Sequence, residues 1–385
     1  MQVGALVLLA GCASGPTVDD AQELLEGGDP DGALAAVRDS ERKPLDAATQ
    51  TRARRIAFEA SLALGYTEEA AHEFLLLRLP ARARERLRER LVGGTLRIAL
   101  DGGDAGRRAL VALELPLASG YPRFLALADR ALADREPIVR QLALESIARL
   151  PDANVALPRL VAALADPDED VRETAAGCLA ARVDVPRTDE PAELTAARAQ
   201  LLAVSPGALV PRGTSPTPML ERASGLPPAT LDRRAAWLAA DRLQPQTVEA
   251  LHTTLAEGDP GLAPDAARLL AERGGSAAVP ALAAVLDDGR SPARAQAARS
   301  LGALGGPDAV AALLRALAGD DPEVRRAAAE GLARSANASV LDDLSRAIAE
   351  RRGDSDLAAA AAVLAIEART GGSVASTTAT TQEGP

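Results

Sequence analysis

The sequence predicts an all-α chain, an α-solenoid of stacked helical hairpins, and three observations lead there. Apolar residues recur at i, i+4 and i+8 in a stripe that only a helix presents on one face. These stripes repeat at intervals of 31 or 32 residues, each preceded by an apolar pair seven positions apart. Finally, the apolar fraction of 47% is carried by Ala, Leu and Val, with three Phe, two Tyr and one Trp in 385 residues. Small aliphatic side chains favour helices that pack closely.

Residues 1–16 are expected to form a signal and anchor. Val3 to Ala10 is an apolar run too short to span a bilayer, and it ends in Leu9-Ala10-Gly11-Cys12. This resembles the lipobox of bacterial lipoprotein signals. The resemblance implies acylation of Cys12 and attachment to a membrane through the acyl chains. Ala13 stands where an Asp retains such proteins at the inner membrane, which implies the outer membrane facing the periplasm. If the N-terminus is instead an accidental apolar run, the chain is expected in the cytoplasm.

Residues 17–92 contain two similar hairpins, marked by Gly28-Asp29-Pro30-Asp31-Gly32-Ala33-Leu34 and by Gly65-Tyr66-Thr67-Glu68-Glu69-Ala70-Ala71. With Ala70 four before Phe74 and a Pro closing each unit at Pro44 or Pro80, the pattern is similar to degenerate tetratricopeptide repeats. Arg82, Arg84, Arg86, Arg88 and Arg90 follow, interleaved by Glu85 and Glu89 at helical spacing, which predicts an ion-paired solvated face.

The stripes begin after Asp104. Val139-Arg140, Val171-Arg172, Ala293-Arg294 and Val324-Arg325 each carry Ala four positions after the first residue and a branched aliphatic at eight: Ile147, Leu179, Leu301 and Leu332. Leu262, Ala266 and Leu270 fit the frame without the Arg. The preceding helices carry the pairs Leu125/Leu132, Leu157/Leu164, Val248/Leu255, Val279/Leu286 and Val310/Leu317. Asp166-Pro167-Asp168 and Asp320-Asp321-Pro322 break the hairpins and suit an N-cap on the second helix. The Val-Arg-x-x-Ala core resembles HEAT repeats, of the short bacterial kind called phycobilisome-lyase HEAT-like repeats. That resemblance implies a structural ladder in which Arg140, Arg172, Arg294 and Arg325 reach acidic or carbonyl groups of their own hairpin and its neighbour.

The expected organisation is a first HEAT-like block at 93–203, a connector at 204–228, a second block at 229–370 and a disordered tail at 371–385. Prolines 206, 211, 216, 218, 227 and 228 set the connector, because a helix pair could not absorb them. The tail lacks any apolar period.

Several chemistries are disfavoured by composition. A net charge of −11 argues against nucleic acid as partner. Two His (His72, His252) and two Cys (Cys12, Cys178) lack the spacing of a zinc site. The single Lys43 has no glycine-rich approach, and no Ser lies in a Gly-x-Ser-x-Gly frame. Asp166, Asp168 and Asp170 open like a calcium loop but lack its turn Gly and closing Glu. Cys178 reads as a buried thiol and His72-Glu73 as an isolated pair. No metal, cofactor or small-molecule substrate is therefore expected.

The expected function is a non-catalytic protein-binding scaffold or adaptor lipoprotein of the bacterial envelope. The alternatives are a HEAT-repeat enzyme or accessory factor, or a cytosolic interaction protein. In HEAT-like arrays the second helix of each hairpin lines the concave face. Positions two, six and ten after the stripe start would then meet a protein partner: Gln141, Glu145 and Arg149 in the first block, Arg268, Arg299, Arg326, Glu330 and Arg334 in the second. The richness of the second set in Arg points to an acidic partner segment.

Overall fold

The computed structural model describes residues 15–118, 123–150, 152–183, 196–197, 199–200, 250–255, 262–288, 292–350 and 355–378. Cys12, the connector at 204–228 and residues 379–385 lie outside the described residues. Every regular element among the described residues is helical, and the fold is an all-α solenoid. The chain forms two compact units, residues 1–91 and 92–385. Among the described residues no helix is long and apolar enough to cross a membrane.

The first unit contains α1 (Val18–Glu26), α2 (Pro30–Ser40), α3 (Ala47–Leu64) and α4 (Thr67–Leu76), and the unit boundary falls within α5 (Ala81–Gly102). Local chemistry sets the helix starts. Thr17 and Asp20 form a capping box on α1, Asp29 followed by Pro30 opens α2, and Asp46 accepts from Ala48 and Thr49 at the head of α3. α3 stops at Gly65, whose φ of 85° is the left-handed conformation that a side chain disfavours. Val18, Ala21, Ala33, Val37, Ala53, Ile56 and Ala60 form one core. Phe58 and Phe74 are fully buried, and the guanidinium of Arg84 lies 4.6 Å from the Phe74 ring centroid, so part of the arginine run covers an aromatic face.

The second unit continues with α6 (Ala105–Glu114), α7 (Phe124–Leu132), α8 (Pro137–Ala148), α9 (Ala153–Ala163) and α10 (Glu169–Val183). Its later part contains α11 (Ala263–Gly274), a 3₁₀ turn (Gly275–Ala278), α12 (Val279–Asp287), α13 (Arg294–Leu304) and α14 (Pro307–Leu317). It closes with α15 (Pro322–Ser335), a second 3₁₀ turn (Ala338–Val340), α16 (Leu341–Glu350) and α17 (Ser355–Thr378). Hairpin pairs form as the sequence predicts: α7 on α8, α9 on α10, α12 on α13, α14 on α15 and α16 on α17. Pro137 and Pro322 occupy first-turn positions, and the Asp321 carboxylate accepts from Glu323 N and Val324 N.

Stacking of the second helices does not follow chain order. α11 packs on α13, α13 on α15 and α15 on α17; α17 then packs on α6, α6 on α8 and α8 on α10. The row is continuous, with the last helix of the chain set against the first helix of the stripe frame. The stripes are its core, since Val139, Ala143, Ile147, Val171, Ala175, Leu179, Ala297, Leu301, Ala328 and Leu332 are all fully buried.

Two local expectations differ from the structure. Leu125 of the first seven-spaced pair is exposed, because Phe124 beside it takes the core position with the larger apolar surface. α17 runs on to Thr378, past Gly371, where a tail without regular structure was expected. Its backbone bonding propagates from the buried segment before it, a cheaper step than nucleating a new turn.

Candidate functional site

The ladder arginines lie where each hairpin turns into its second helix. Arg140 donates from Nε and Nη2 to the two oxygens of Asp166 at 2.9 and 2.7 Å, and from Nη1 to the carbonyls of Asp134 and Arg135. One side chain thus closes its own hairpin and reaches the next one. Planarity and a fork of donors make Arg fit for this bidentate geometry. Arg294 meets Asp321 at 3.3 Å, and Arg325 donates to Ser355 Oγ at 3.2 Å and to the Gly319 carbonyl. Arg172 bonds the carbonyls of Asp166 and Pro167. The Arg140 guanidinium holds the Asp166 carboxyl below its ordinary range.

Arg108 belongs to the same ladder. It donates from Nε and Nη2 to Asp134 at 2.7 and 3.2 Å and from Nη1 to the Gly103 carbonyl. It stands 32 residues before Arg140, but Arg107 occupies the place of the stripe's Val, which hid the frame in the sequence.

The expected partner positions of the second block lie on three helices of the row. Arg268 lies on α11, Arg299 on α13, and Arg326, Glu330 and Arg334 on α15. The charges of Arg268, Arg299, Arg326 and Glu330 are engaged within the chain. Arg268 Nη1 is 2.6 Å from Glu272 Oε1, and Arg299 Nε is 3.5 Å from Glu330 Oε2. Arg326 Nη1 bridges Glu330 at 3.3 Å and Glu114 at 3.2 Å. Arg334 is exposed. The fourth member of this charge chain, Glu114, comes from α6, more than two hundred residues away in sequence, so counting charges along one stripe could not find it.

Glu114 is the most perturbed acid of the face. It is 3% exposed, and burial followed by the neighbouring Glu330 charge pushes its carboxyl from 4.5 up to about 7, against the pull of Arg326 and Arg299. Desolvation outweighs the ion pair because one guanidinium nitrogen serves two carboxylates. Near neutrality this buried face therefore exchanges a proton.

Other candidates are dispersed. His72 is exposed, while Glu73 faces Arg54 at 3.4 Å and is pushed upward by burial. Cys178 is half-buried, and desolvation keeps its thiol protonated. Among the described residues no group of three or more His, Cys, Asp or Glu is placed to hold a metal.

A family model for HEAT repeats matches residues 124–204 and 286–365. HEAT repeats are present at two places in this chain. These matches cover the hairpins from α7 to α10 and from the end of α12 into α17, on either side of the break in chain order. No curated protein matches the chain. HEAT repeats generally serve protein–protein interaction.

Proposed function

We propose that this chain is a non-catalytic protein-binding scaffold, an adaptor of the bacterial envelope carried on a lipid attached to Cys12. The observation that supports a scaffold most is the continuous row of second helices among the described residues, packed side by side on rigid backbone. A protein segment laid across the row would meet Arg268, Arg299, Arg326, Glu330 and Arg334. Because Arg268, Arg299 and Arg326 are already paired, an acidic partner would exchange carboxylates with them, a geometry that sets specificity more than affinity. The repeat spacing of 31 or 32 residues supports the short phycobilisome-lyase type, and the α1–α4 hairpins support a tetratricopeptide-like entry.

The test is crosslinking and affinity purification from envelope fractions with the full chain and with Arg268→Glu/Arg334→Glu, a pair that leaves Glu330 and Glu114 with their own partners. Loss of a crosslinked partner at unchanged helicity supports the face, and an identical partner set in the variant excludes it. For the anchor, Cys12→Ser should move the protein from membrane to soluble fractions; equal membrane recovery of both forms would refute lipid attachment.

A further inference from the structure

The second helices of the row enter it in one frame. Their stripe-start position is uncharged in α8, α10, α11, α13, α15 and α17: Val139, Val171, Leu262, Ala293, Val324 and Ser355. The next position holds the ladder arginine in α6, α8, α10, α13 and α15, and Ala263 in α11. Seven residues after the start, the side chain facing the preceding helix is small. Ser146 Oγ donates to the Ala112 carbonyl of α6 at 2.7 Å, and Ser300 Oγ donates to the Ala267 carbonyl of α11 at 3.1 Å. Gly331 lies against the backbone of Gly302, and Cys178 holds the equivalent place in α10.

Among the described second helices, α6 alone has a cation at the stripe start, Arg107, and α17 alone has an acid at the ladder position, Asp356, 31 residues after Arg325. The two exceptions meet. Arg107 Nη2 donates to Asp356 Oδ2 at 2.8 Å, with Asp356 fully buried. Buried pairs of arginine and carboxylate recur along the row, as in Arg108 with Asp134 and Arg140 with Asp166, so an ion pair as such does not set this junction apart. Its direction does. At those two junctions the earlier helix of the row supplies the arginine and the later hairpin the acid; here α17 supplies the acid and α6 the arginine. The register is unchanged, since Arg325 of α15 donates to the stripe-start Ser355 of α17 at 3.2 Å, and Asp356 of α17 in turn meets the stripe start of α6.

We infer that Arg107 and Asp356 form a recognition key, by which α17 accepts α6 as its neighbour and rejects the other second helices, in its own chain or in a second copy. Adhesion at this seam is apolar, with Leu357 and Val363 of α17 and Val111 of α6 fully buried. Apolar stripes are common to all the second helices, so burial alone would let α17 take α8, α10, α11 or α13 as readily. The ion pair makes the choice. A helix with Val, Leu or Ala at its stripe start leaves Asp356 buried without this guanidinium, and Arg107 set against another second helix would meet a ladder arginine or Ala263. A buried pair adds little net stability over an apolar contact, yet removing one partner is costly, so such a pair selects more than it holds. Glu114 adds a second contact across the seam, to Arg326 of α15 at 3.2 Å, and stays in place in every variant below. Because the chain joins the two sides of the seam only by way of α10 and α11, the α17 of one copy can also meet the α6 of another by segment exchange.

The experiment uses the full chain as Arg107→Asp, as Asp356→Arg and as both together, read by light-scattering mass at about 50 µM and by amide hydrogen exchange in α6. The unmodified chain should have the mass of one copy, because its own α6 stands at an effective concentration of roughly a millimolar. Each single reversal sets like charges together in a buried site, so exchange in α6 should rise about a hundredfold at one-copy mass. Both changes in one chain should restore the parent's protection. An equimolar mixture of the two single variants should form a species of two chains, one of each, with α6 protected again, because both seams of the exchanged pair then join opposite charges. A mixture that keeps one-copy mass, single variants with α6 protected as in the parent, or a variant that pairs with itself as readily as with the other would each overturn the key. Asp356→Asn covers a reversal that unfolds the chain. With helicity unchanged by circular dichroism, it should speed exchange in α6 about tenfold, and unchanged exchange there would overturn the key as well.

Discussion

At the scale of the residue, the arginine ladder distributes stability unevenly. Arg140 and Asp166 are both about one-tenth exposed and meet through two parallel bonds, so Arg140→Ala strands a buried carboxylate. We expect a loss of about 3 kcal/mol in chemical denaturation. Arg172, which bonds carbonyls of its own hairpin, should cost only about 1 kcal/mol when changed to Ala. Asp166 has its carboxyl held low by Arg140, so its contribution is present above the unfolded value of 3.8 and is lost as the pH falls through the lower folded value. Glu114 has the opposite sign. Its folded carboxyl sits above the unfolded one, so the chain should lose up to about 3 kcal/mol of stability between pH 4.5 and about 7, and Glu114→Gln should flatten that slope in a pH series of urea melts. The ladder at Arg140 was legible because Val-Arg-x-x-Ala repeats and because Asp recurs at hairpin turns. Arg108 escaped because Arg107 interrupts the apolar frame. Glu114 and Asp356 could not be assigned from sequence, since their partners come from a stacking order that periodicity does not encode.

At the scale of the element, the row is held by small residues in register as much as by its apolar stripes. The α13–α15 crossing brings Gly302 against Gly331, and Gly331 against the Ala298 carbonyl and the Leu313 methyls. In an isolated helix Gly302→Ala would add about 1 kcal/mol. Here the new Cβ falls on the Gly331 backbone, and we expect a net loss of about 2 kcal/mol, read as a lowered midpoint of thermal unfolding. Cys178 illustrates the same position with a different side chain. Serine fills its counterparts at 146 and 300, so Cys178→Ser should leave stability within about 0.5 kcal/mol of the parent. A half-buried thiol in an acidic chain invites a redox reading; its register explains it as spacing. Hairpin existence and order were legible from the 31- to 32-residue period, and so were the caps at Asp321 and Pro322. Leu125 was not, because a seven-residue spacing gives the helix but leaves open which of two adjacent apolar residues turns inward.

At the scale of the whole second unit, the break in chain order reverses which helices count as ends. A solenoid stacked in sequence would expose α17 as its last helix and call for a polar outer face on it. Instead Leu357 through Val363 are fully buried all round the helix, as befits an interior element. That run of Leu, Ala and Val was visible in the sequence, and its meaning follows once α6 is seen to cover it. Among the described residues the row runs from α11 to α10, with α15, α17 and α6 inside it. Stability in such arrays is close to a sum of nearest-neighbour terms, so opening begins at the ends and reaches the middle last. Amide hydrogen exchange should therefore be slow in α15, α17 and α6, which lie inside the row, and no faster there than in α11 and α10. A sequentially stacked array predicts the reverse for α6 and α17, with both fraying first. Protection in α6 and α17 below that of α10 would show that the row does not close in solution as α17 on α6.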